Sequence, residues 1–149
     1  MPGSYRTLDE QLCFALYTAS RAMTSRYRDG LGKLGLTYPQ YLVMLVLWEH
    51  ESLLVADVAE RLQLSTNTLS PLLKRLVAAG LVVKQRRTDD ERQVQLTVTS
   101  AGRSLRDRSD ALRAEAGEAV GMTAAQVVEL REQLRELAER LWAAPGKLA

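Results

Sequence analysis

The sequence predicts a mainly α-helical fold with one small β-hairpin, and three observations support this prediction. The chain has 149 residues, of which 46% are hydrophobic and only 5% aromatic, so helices packed through Leu and Ala are favoured over an all-β sandwich. Apolar residues recur at helical spacing in most segments. One stretch, LVVKQRR followed by QVQLTVT, has the features of a hairpin with a charged tip.

The first half is predicted to contain three helices. Residues 7–10 (TLDE) match a capping box that opens the first helix, whose apolar spacing continues to a glycine-rich break at residues 29–33. A turn at residues 37–39 precedes the second helix, roughly Gln40–His50. Its apolar core, YLVMLVLW, indicates burial on most sides. A short third helix follows at about Ala56–Leu62.

The fourth helix, TNTLSPLLKRLVAAG, follows a turn at residues 64–65 and ends at Gly80, a residue that favours the left-handed conformation of a helix C-terminus. Pro71 is compatible with two positions for the start of this helix. A helix capped by Ser70 would place it at the first position, whereas a helix capped by Ser65 would lose one internal hydrogen bond. The start at Ser65 is favoured.

The hairpin and two further helices complete the chain. Ser100 opens a long polar helix, and the last helix, about Thr123–Trp142, has leucines at 3-4-3-4 spacing, which suits either a dimer seam or an internal core. The order helix–turn–helix–hairpin within residues 50–99 predicts a winged helix-turn-helix inside a single domain, 1–149. The predicted dimerisation helices occupy residues 7–35 and 100–149.

Charge is distributed unevenly although the net charge is only +2. Residues 65–88 contain five cations and no acid, whereas residues 107–142 contain five arginines and eight acids. The winged segment therefore suits a polyanion, and double-stranded DNA is favoured over the alternative of a protein partner. The second helix of such a motif enters the major groove, and a wing-tip arginine suits a narrow A·T-rich minor groove. The predicted DNA-binding residues are Ser65, Thr66, Asn67, Thr68, Ser70, Lys74, Arg75, Lys84, Arg86, Arg87 and Arg92.

The motif also predicts a homodimer. A single recognition helix covers few base pairs, so a dimer is expected to bind two half-sites about 34 Å apart on a pseudo-palindromic, A·T-rich operator.

Cys13 is the only cysteine of the chain, and it has two interpretations. It is a small apolar core residue, or it is a thiol whose reactivity tyrosines adjust. Tyr17 and Tyr27 share its helix face at i+4 and i+14. Because 14 residues of helix span ~21 Å, Tyr27 cannot contact the Cys13 of its own helix. It can reach the Cys13 of a partner subunit if two such helices run antiparallel.

The sequence resembles the MarR family of transcriptional regulators, and within it the organic hydroperoxide resistance regulators (OhrR). The family motifs stand at residues 64–82 (LSTNTLSPLLKRLVAAGLV) and 90–102 (DERQVQLTVTSAG). The subgroup motifs stand at residues 11–27 (QLCFALYTASRAMTSRY) and 36–51 (LTYPQYLVMLVLWEHE). The resemblance covers essentially the whole chain.

The resemblance implies a redox-sensing repressor that releases its operator when organic hydroperoxides oxidise a cysteine. Cys13 matches the reactive cysteine, Tyr27 and Tyr38 match the tyrosines that bond it across the dimer, and Tyr17 matches a further pocket residue. Arg92 matches the wing-tip arginine, and Asp90 matches the acid that supports the wing. Many relatives have a second, resolving cysteine, which this sequence lacks. Oxidised Cys13 is therefore expected to be captured by a low-molecular-weight thiol, attacked by a backbone nitrogen or over-oxidised.

Other classes of function are less well supported. One Cys and one His are too few for a zinc site, and no cofactor motif is present. A Cys13–His50 enzyme dyad is the only Cys–His option, and no GxSxG or P-loop spacing occurs, so no catalytic residue is expected. No apolar run of 18 residues or signal-peptide pattern occurs, which predicts a cytoplasmic protein without membrane contact. The alternative is a MarR-type repressor gated by a small ligand, with Cys13 structural.

Overall fold

The computed structural model describes residues 7–146, and these contain six α-helices and one three-stranded antiparallel sheet. The mainly helical fold with a small hairpin is therefore confirmed. The elements are α1 (Leu12–Lys33), α2 (Tyr38–His50), β1 (Ser52–Leu54), α3 (Val55–Leu62), α4 (Thr66–Ala78), β2 (Val82–Arg86), β3 (Val94–Val98), α5 (Ser100–Val120) and α6 (Ala124–Ala143).

The first helix differs from the prediction at both ends. The capping segment forms a separate 3-10 turn, Leu8–Glu10, before α1 begins at Leu12. The predicted glycine-rich break is wrong, because α1 continues through Gly30 to Lys33. A Cβ atom on Gly30 would lie 2.2 Å from Leu112 Cδ2 of α5. This glycine therefore leaves room for the Leu112 side chain, and the chain turns later, at Gly35 with φ +75°.

Helix α2 lies in the centre of the core. It starts at Tyr38 because Thr37 forms a capping box, in which Gln40 Oε1 accepts from the Thr37 N–H at 2.9 Å. Val43, Met44 and Leu47 are completely buried. Helices α1, α3 and α4 and strands β1 and β3 all contact α2, which confirms its predicted burial on most sides.

The sheet contains one strand more than the predicted hairpin. β1 pairs with β3, with Leu53 opposite Leu96, and β2 pairs with the other side of β3. A three-residue strand is too short to show a repeating pattern, so its sequence alone did not reveal it. The alternation of apolar residues in QVQLTVT predicts that Leu96 and Val98 lie on one face of the strand, and both are buried in β3.

Helix α4 has the predicted boundaries. Ser65 Oγ accepts from the Thr68 N–H at 3.2 Å, which makes Ser65 the N-cap, and Pro71 lies inside the helix. Gly80 ends the helix with φ +73°. Leu69, Leu73 and Leu76 are buried, so the opposite face, with its polar residues, is available to a partner.

The described residues divide into two compact units after Ala116. The first unit holds nearly all of the buried core. The second contains the end of α5 and α6, which Thr123 caps by accepting from the Gln126 N–H at 3.2 Å. Of the predicted leucine seam on α6, Leu130 and Leu134 are exposed. No helix within residues 7–146 combines the length and apolar character needed to span a membrane.

Replacing Gly102 with Ala should destabilise the protein by about 1–3 kcal/mol. The new Cβ would lie 2.3 Å from the Leu81 carbonyl oxygen and 2.8 Å from Val98 Cγ2. Gly117→Ala is the matched control in the same helix, because no atom lies within 4 Å of its Cβ position. It should be neutral or stabilising by up to about 1 kcal/mol. Urea unfolding at a fixed protein concentration measures both changes, and equal effects would contradict the close approach.

Candidate redox site and nucleic-acid interface

Cys13 is exposed near the start of α1. Its thiol donates to Gln11 Oε1 at 3.8 Å. Its neighbours on this helix are also open to solvent, with Leu12 61% and Tyr17 59% exposed. Cys13 is therefore not a core residue of its own chain, and its sulfur is accessible from an exposed apolar surface.

Three tyrosines form a packed cluster where α1 meets the start of α2. The Tyr27 ring centroid lies 5.4 Å from that of Tyr38 and 5.6 Å from that of Tyr41, and the Tyr38 and Tyr41 centroids are 6.0 Å apart. Sequence reasoning missed Tyr41, although its i+3 spacing from Tyr38 places it on the same side of the helix. Tyr41 is buried, whereas Tyr27 and Tyr38 are half-buried.

Packing in this cluster affects the titration of Tyr38 and Tyr41. Burial, followed by the neighbouring Tyr27, raises the pKa of Tyr38 above its ordinary value, and the same two causes raise the pKa of Tyr41. Both hydroxyl groups therefore carry their protons at neutral pH. A protonated hydroxyl can donate a hydrogen bond to an anionic acceptor such as a thiolate.

The structure brings Tyr27 and Tyr38 together but does not bring Cys13 to them. Among the described residues, the Cys13 thiol makes no hydrogen bond to a tyrosine. Tyr17 lies elsewhere, with the Arg21 guanidinium 5.3 Å above its ring. The roles of Tyr17, Tyr27 and Tyr38 as partners of Cys13 stay predictions, and they need a second subunit.

A chain of contacts runs from the tyrosine cluster to the end of α4. Tyr41 packs edge-on against Trp48, with 6.2 Å between ring centroids. Trp48 Nε1 donates to the Gly102 carbonyl at 2.9 Å. The Gly102 N–H donates to Thr99 Oγ1 at 3.1 Å, and this hydroxyl donates to the Gly80 carbonyl at 2.7 Å. Gly80 follows the C-terminus of α4, so these contacts connect α2 to the end of α4.

The N-terminal face of α4 presents short polar side chains. Thr66, Asn67 and Ser70 are exposed, whereas the hydroxyls of Ser65 and Thr68 lie 3.0 Å apart and take part in the cap. Pro71 has no N–H, so the helix lacks the hydrogen bond that this residue would otherwise donate to the Asn67 carbonyl. Further along the helix, the predicted DNA-binding residues Lys74 and Arg75 are also exposed.

The wing consists of β2, β3 and the tip at residues 87–93. Arg86 Nη1 donates to the Glu91 carbonyl at 3.1 Å, and Arg87 pairs with Asp89. Asp90 Oδ1 accepts from the Arg92 backbone N–H at 3.0 Å. Through this hydrogen bond, Asp90 can hold the backbone of the wing tip at Arg92. The side chains of Lys84 and Arg92 are exposed and make no hydrogen bond or ion pair to a described residue.

No group of three or more metal-ligating side chains occurs within residues 7–146. Four features of the described residues could react or bind a partner. They are the exposed thiol, the tyrosine cluster, the polar face of α4 and the basic wing. The second helix of a helix-turn-helix followed by a basic hairpin defines a winged-helix DNA-binding protein.

The comparisons with known proteins agree with this class. A sequence model described as "Transcriptional regulator SarA/Rot" matches residues 27–108. The organic hydroperoxide resistance transcriptional regulator of Bacillus subtilis (strain 168) is 47% identical over 102 residues, which cover 68% of this chain and 69% of the relative. The HTH-type transcriptional regulator TtmR of Methylorubrum extorquens (strain PA1) is 45% identical over 141 residues, which cover 95% and 72%.

Solved structures of AbfR from Staphylococcus epidermidis have the same fold. The reduced form bound to DNA is 34% identical, covers 90% of this chain and 94% of that one, and has a TM-score of 0.75. The overoxidised form bound to DNA has a TM-score of 0.74, and the disulfide form has 0.61. The chain belongs to the MarR family of transcriptional regulators and is of the organic hydroperoxide resistance type. It is a DNA-binding transcriptional regulator, in agreement with the prediction.

Lys74→Ala should weaken binding to all DNA sequences alike and reduce the salt slope of log K by about 0.9, because one phosphate contact is lost. Lys74 is exposed on α4 and makes no ion pair with a described residue. Lys33→Ala removes an exposed cation at the end of α1, outside the winged motif, and is the matched control. Fluorescence anisotropy over a potassium chloride series measures both slopes. Equal reductions would mean that α4 does not position Lys74 at a phosphate.

Proposed function

We propose that the chain is a homodimeric repressor that binds a pseudo-palindromic, A·T-rich operator when Cys13 is reduced and releases it when an organic hydroperoxide oxidises Cys13. The observation that carries this proposal is the exposure of the sole thiol on α1. The name of the Bacillus subtilis relative supports the choice of oxidant. The exposed polar residues of α4 and the basic wing support the choice of DNA.

The first chemical step is a two-electron oxidation of sulfur. The Cys13 thiolate attacks the terminal oxygen of the hydroperoxide, the O–O bond breaks, and the products are a sulfenic acid and, after protonation, an alcohol. A low-molecular-weight thiol then displaces hydroxide from the sulfenic acid, which forms a mixed disulfide and water. No second cysteine exists in the same chain to resolve this intermediate.

The tyrosines act in this proposal only across a dimer. Tyr27 and Tyr38 are held together at one end of α2, about 21 Å along α1 from Cys13. Antiparallel packing of two α1 helices would bring the Cys13 of one subunit to the tyrosines of the other. Exposed apolar residues on α1, and separately on α6, support such a dimer, since they are otherwise left in water.

The same tyrosines connect the sulfur to the DNA-binding half. A group added to Cys13 would displace Tyr27 and Tyr38, which pack on Tyr41. Tyr41 in turn contacts Trp48, whose indole N–H is bonded to Gly102. Displacement along these contacts would move the end of α4, and a change in the spacing of two recognition helices would weaken operator binding.

Cys13→Ser should keep the operator affinity of the reduced wild type but lose the response to cumene hydroperoxide. Anisotropy on an operator selected from random DNA measures release. Intact mass identifies which product accompanies it, whether mixed disulfide, sulfinate or sulfonate. If the Ser variant still releases DNA at the same peroxide dose, Cys13 is not the sensor.

Tyr27→Phe should slow the alkylation of Cys13 at pH 7 by about tenfold or more, while operator binding by the reduced protein stays close to wild type. The reason is the loss of a hydrogen bond to a thiolate, worth ~1.5–3 kcal/mol. Tyr38→Phe should act in the same direction, and the double variant should be less than additive because both hydroxyls serve one sulfur. Stopped-flow alkylation measures the rates.

Two mixed dimers test whether the bond crosses the interface. In the first, one subunit carries Tyr27→Phe with its own Cys13, and the other carries Cys13→Ser. In the second, one subunit is wild type and the other carries both changes. Crossing predicts slow alkylation only in the second dimer. Slow alkylation only in the first would mean that Tyr27 acts on the thiol of its own chain.

Trp48 should report the oxidation of Cys13. Trp142→Phe leaves Trp48 as the only tryptophan, since the chain has two. Because Trp48 contacts both Tyr41 and Gly102, its emission should change when cumene hydroperoxide is added. The matched control is the same variant with Cys13→Ser, in which the emission should stay constant. Unchanged emission with Cys13 present would remove Trp48 from the proposed route.

A second candidate function is regulation by a small ligand. A cavity of about 420 Å³ lies between α1 and α5, with Leu34 and Leu112 in its lining and Arg26, Lys33 and Arg108 around it. The lining also contains Asp29 and Glu115, so charges of both signs are available to a small polar ligand. In this case release of DNA would be independent of Cys13, so the Cys13→Ser variant separates the two functions.

A further inference from the structure

The cations of the wing are not equivalent. Arg87 Nε donates to Asp89 Oδ1 at 2.8 Å, and Arg87 Nη2 donates to Asp89 Oδ2 at 2.5 Å. By contrast, the side chains of Lys84 and Arg92 make no ion pair with any residue in 7–146. In the DNA-free protein, the Arg87 guanidinium is therefore hydrogen-bonded to the Asp89 carboxylate.

The geometry of this pair matches the way in which arginine binds phosphate. Two parallel N–H···O bonds are the arrangement that a guanidinium forms with either a carboxylate or a phosphate. The hydrogen bond from Arg87 lowers the pKa of Asp89, so the carboxylate stays ionised at neutral pH and continues to occupy these donors. Both side chains are open to solvent, so the pair contributes little to folding. We expect the Arg87–Asp89 pair to affect DNA binding instead.

We propose that Asp89 withholds Arg87 from the DNA backbone and thereby limits the number of phosphates that the wing neutralises. Phosphate contacts carry no sequence information, and they supply nearly all of the affinity for non-operator DNA. Asp89 therefore lowers sequence-independent binding, while the exposed residues of α4 are left to read the operator. This differs from the prediction that Arg87 contacts DNA directly. It depends on the proposed function only in that the wing binds DNA, and it does not involve Cys13.

The test is a double-mutant cycle on full-length reduced protein with a random-sequence DNA duplex. Asp89→Asn keeps the size of the side chain but removes its charge. Freed Arg87 should then neutralise one more phosphate, which steepens the salt slope of log K by about 0.9 and tightens binding at low salt. Arg87→Ala should leave the slope nearly unchanged in wild type but reduce it by about 0.9 in the Asp89→Asn background.

Glu91→Gln is the matched control for charge alone. Glu91 lies in the same tip, and its carboxylate makes no ion pair with a described residue, although its carbonyl accepts from Arg86. This variant removes the same charge without releasing a guanidinium, so its salt slope should stay close to that of wild type.

Three results would overturn the proposal. Equal slope changes for Asp89→Asn and Glu91→Gln would mean that the loss of a negative charge, and not the release of Arg87, changes the salt slope. An Arg87→Ala change that is as large in wild type as in Asp89→Asn would mean that Arg87 already contacts phosphate. Weaker binding by Asp89→Asn would mean that Asp89 orients Arg87 toward DNA. An incorrect redox mechanism would leave all these measurements unchanged, so the two failures can be distinguished.

Discussion

The structure depends most on one constraint, which is that helix α2 is apolar on nearly every side and must be covered. Val43, Met44 and Leu47 are fully buried, and burial of each such side chain contributes about 1.5–3 kcal/mol. No single neighbour can cover a helix of this kind, so α1, α3, α4 and the sheet all pack against it. The positions of α1, α4 and the central strand β3 are therefore set by contact with α2.

Helix α2 also carries the tyrosine cluster at one end and Trp48 at the other. Tyr38 and Tyr41 lie in the first turns of α2, and Trp48 lies in the last. The Trp48 indole N–H donates to the Gly102 carbonyl in a buried position, and a buried donor without a partner costs about 1–3 kcal/mol. A movement of α2 cannot be absorbed by loosening this bond without that cost. The structural requirement and the proposed signal therefore use the same hydrogen bond.

The parts of the fold that the sequence predicted correctly depend on local chemistry. Ser65 caps α4 and Gly80 ends it for reasons contained within a few residues, and the alternation of β3 is also local. The end of α1 was predicted wrongly because Gly30 is a helix breaker only in isolation. Its actual role depends on Leu112, which is distant in the sequence.

The candidate site shows the same limit. Cys13, Tyr27 and Tyr38 were identified from spacing and resemblance, and their roles stay predictions. Tyr41 and the Trp48–Gly102 bond were missed because their importance lies in contacts between elements. The state of Arg87 was missed for another reason. A run of basic residues in a sequence suggests that all of its cations are equally available to DNA. The fold of the tip determines which of them pairs with a carboxylate, and here it is Arg87.

The thiol and its proposed partners are separated within one chain, and this separation has a thermodynamic consequence. If the tyrosines reach Cys13 only across the interface, the stabilised thiolate exists only in the dimer. A single winged motif also covers too few base pairs to hold an operator tightly, so DNA binding favours the dimer as well. Both properties are then linked to one association equilibrium. DNA binding would raise the reactivity of the sensor by favouring the dimer, so the regulator that is positioned on its operator would be the form most ready to react.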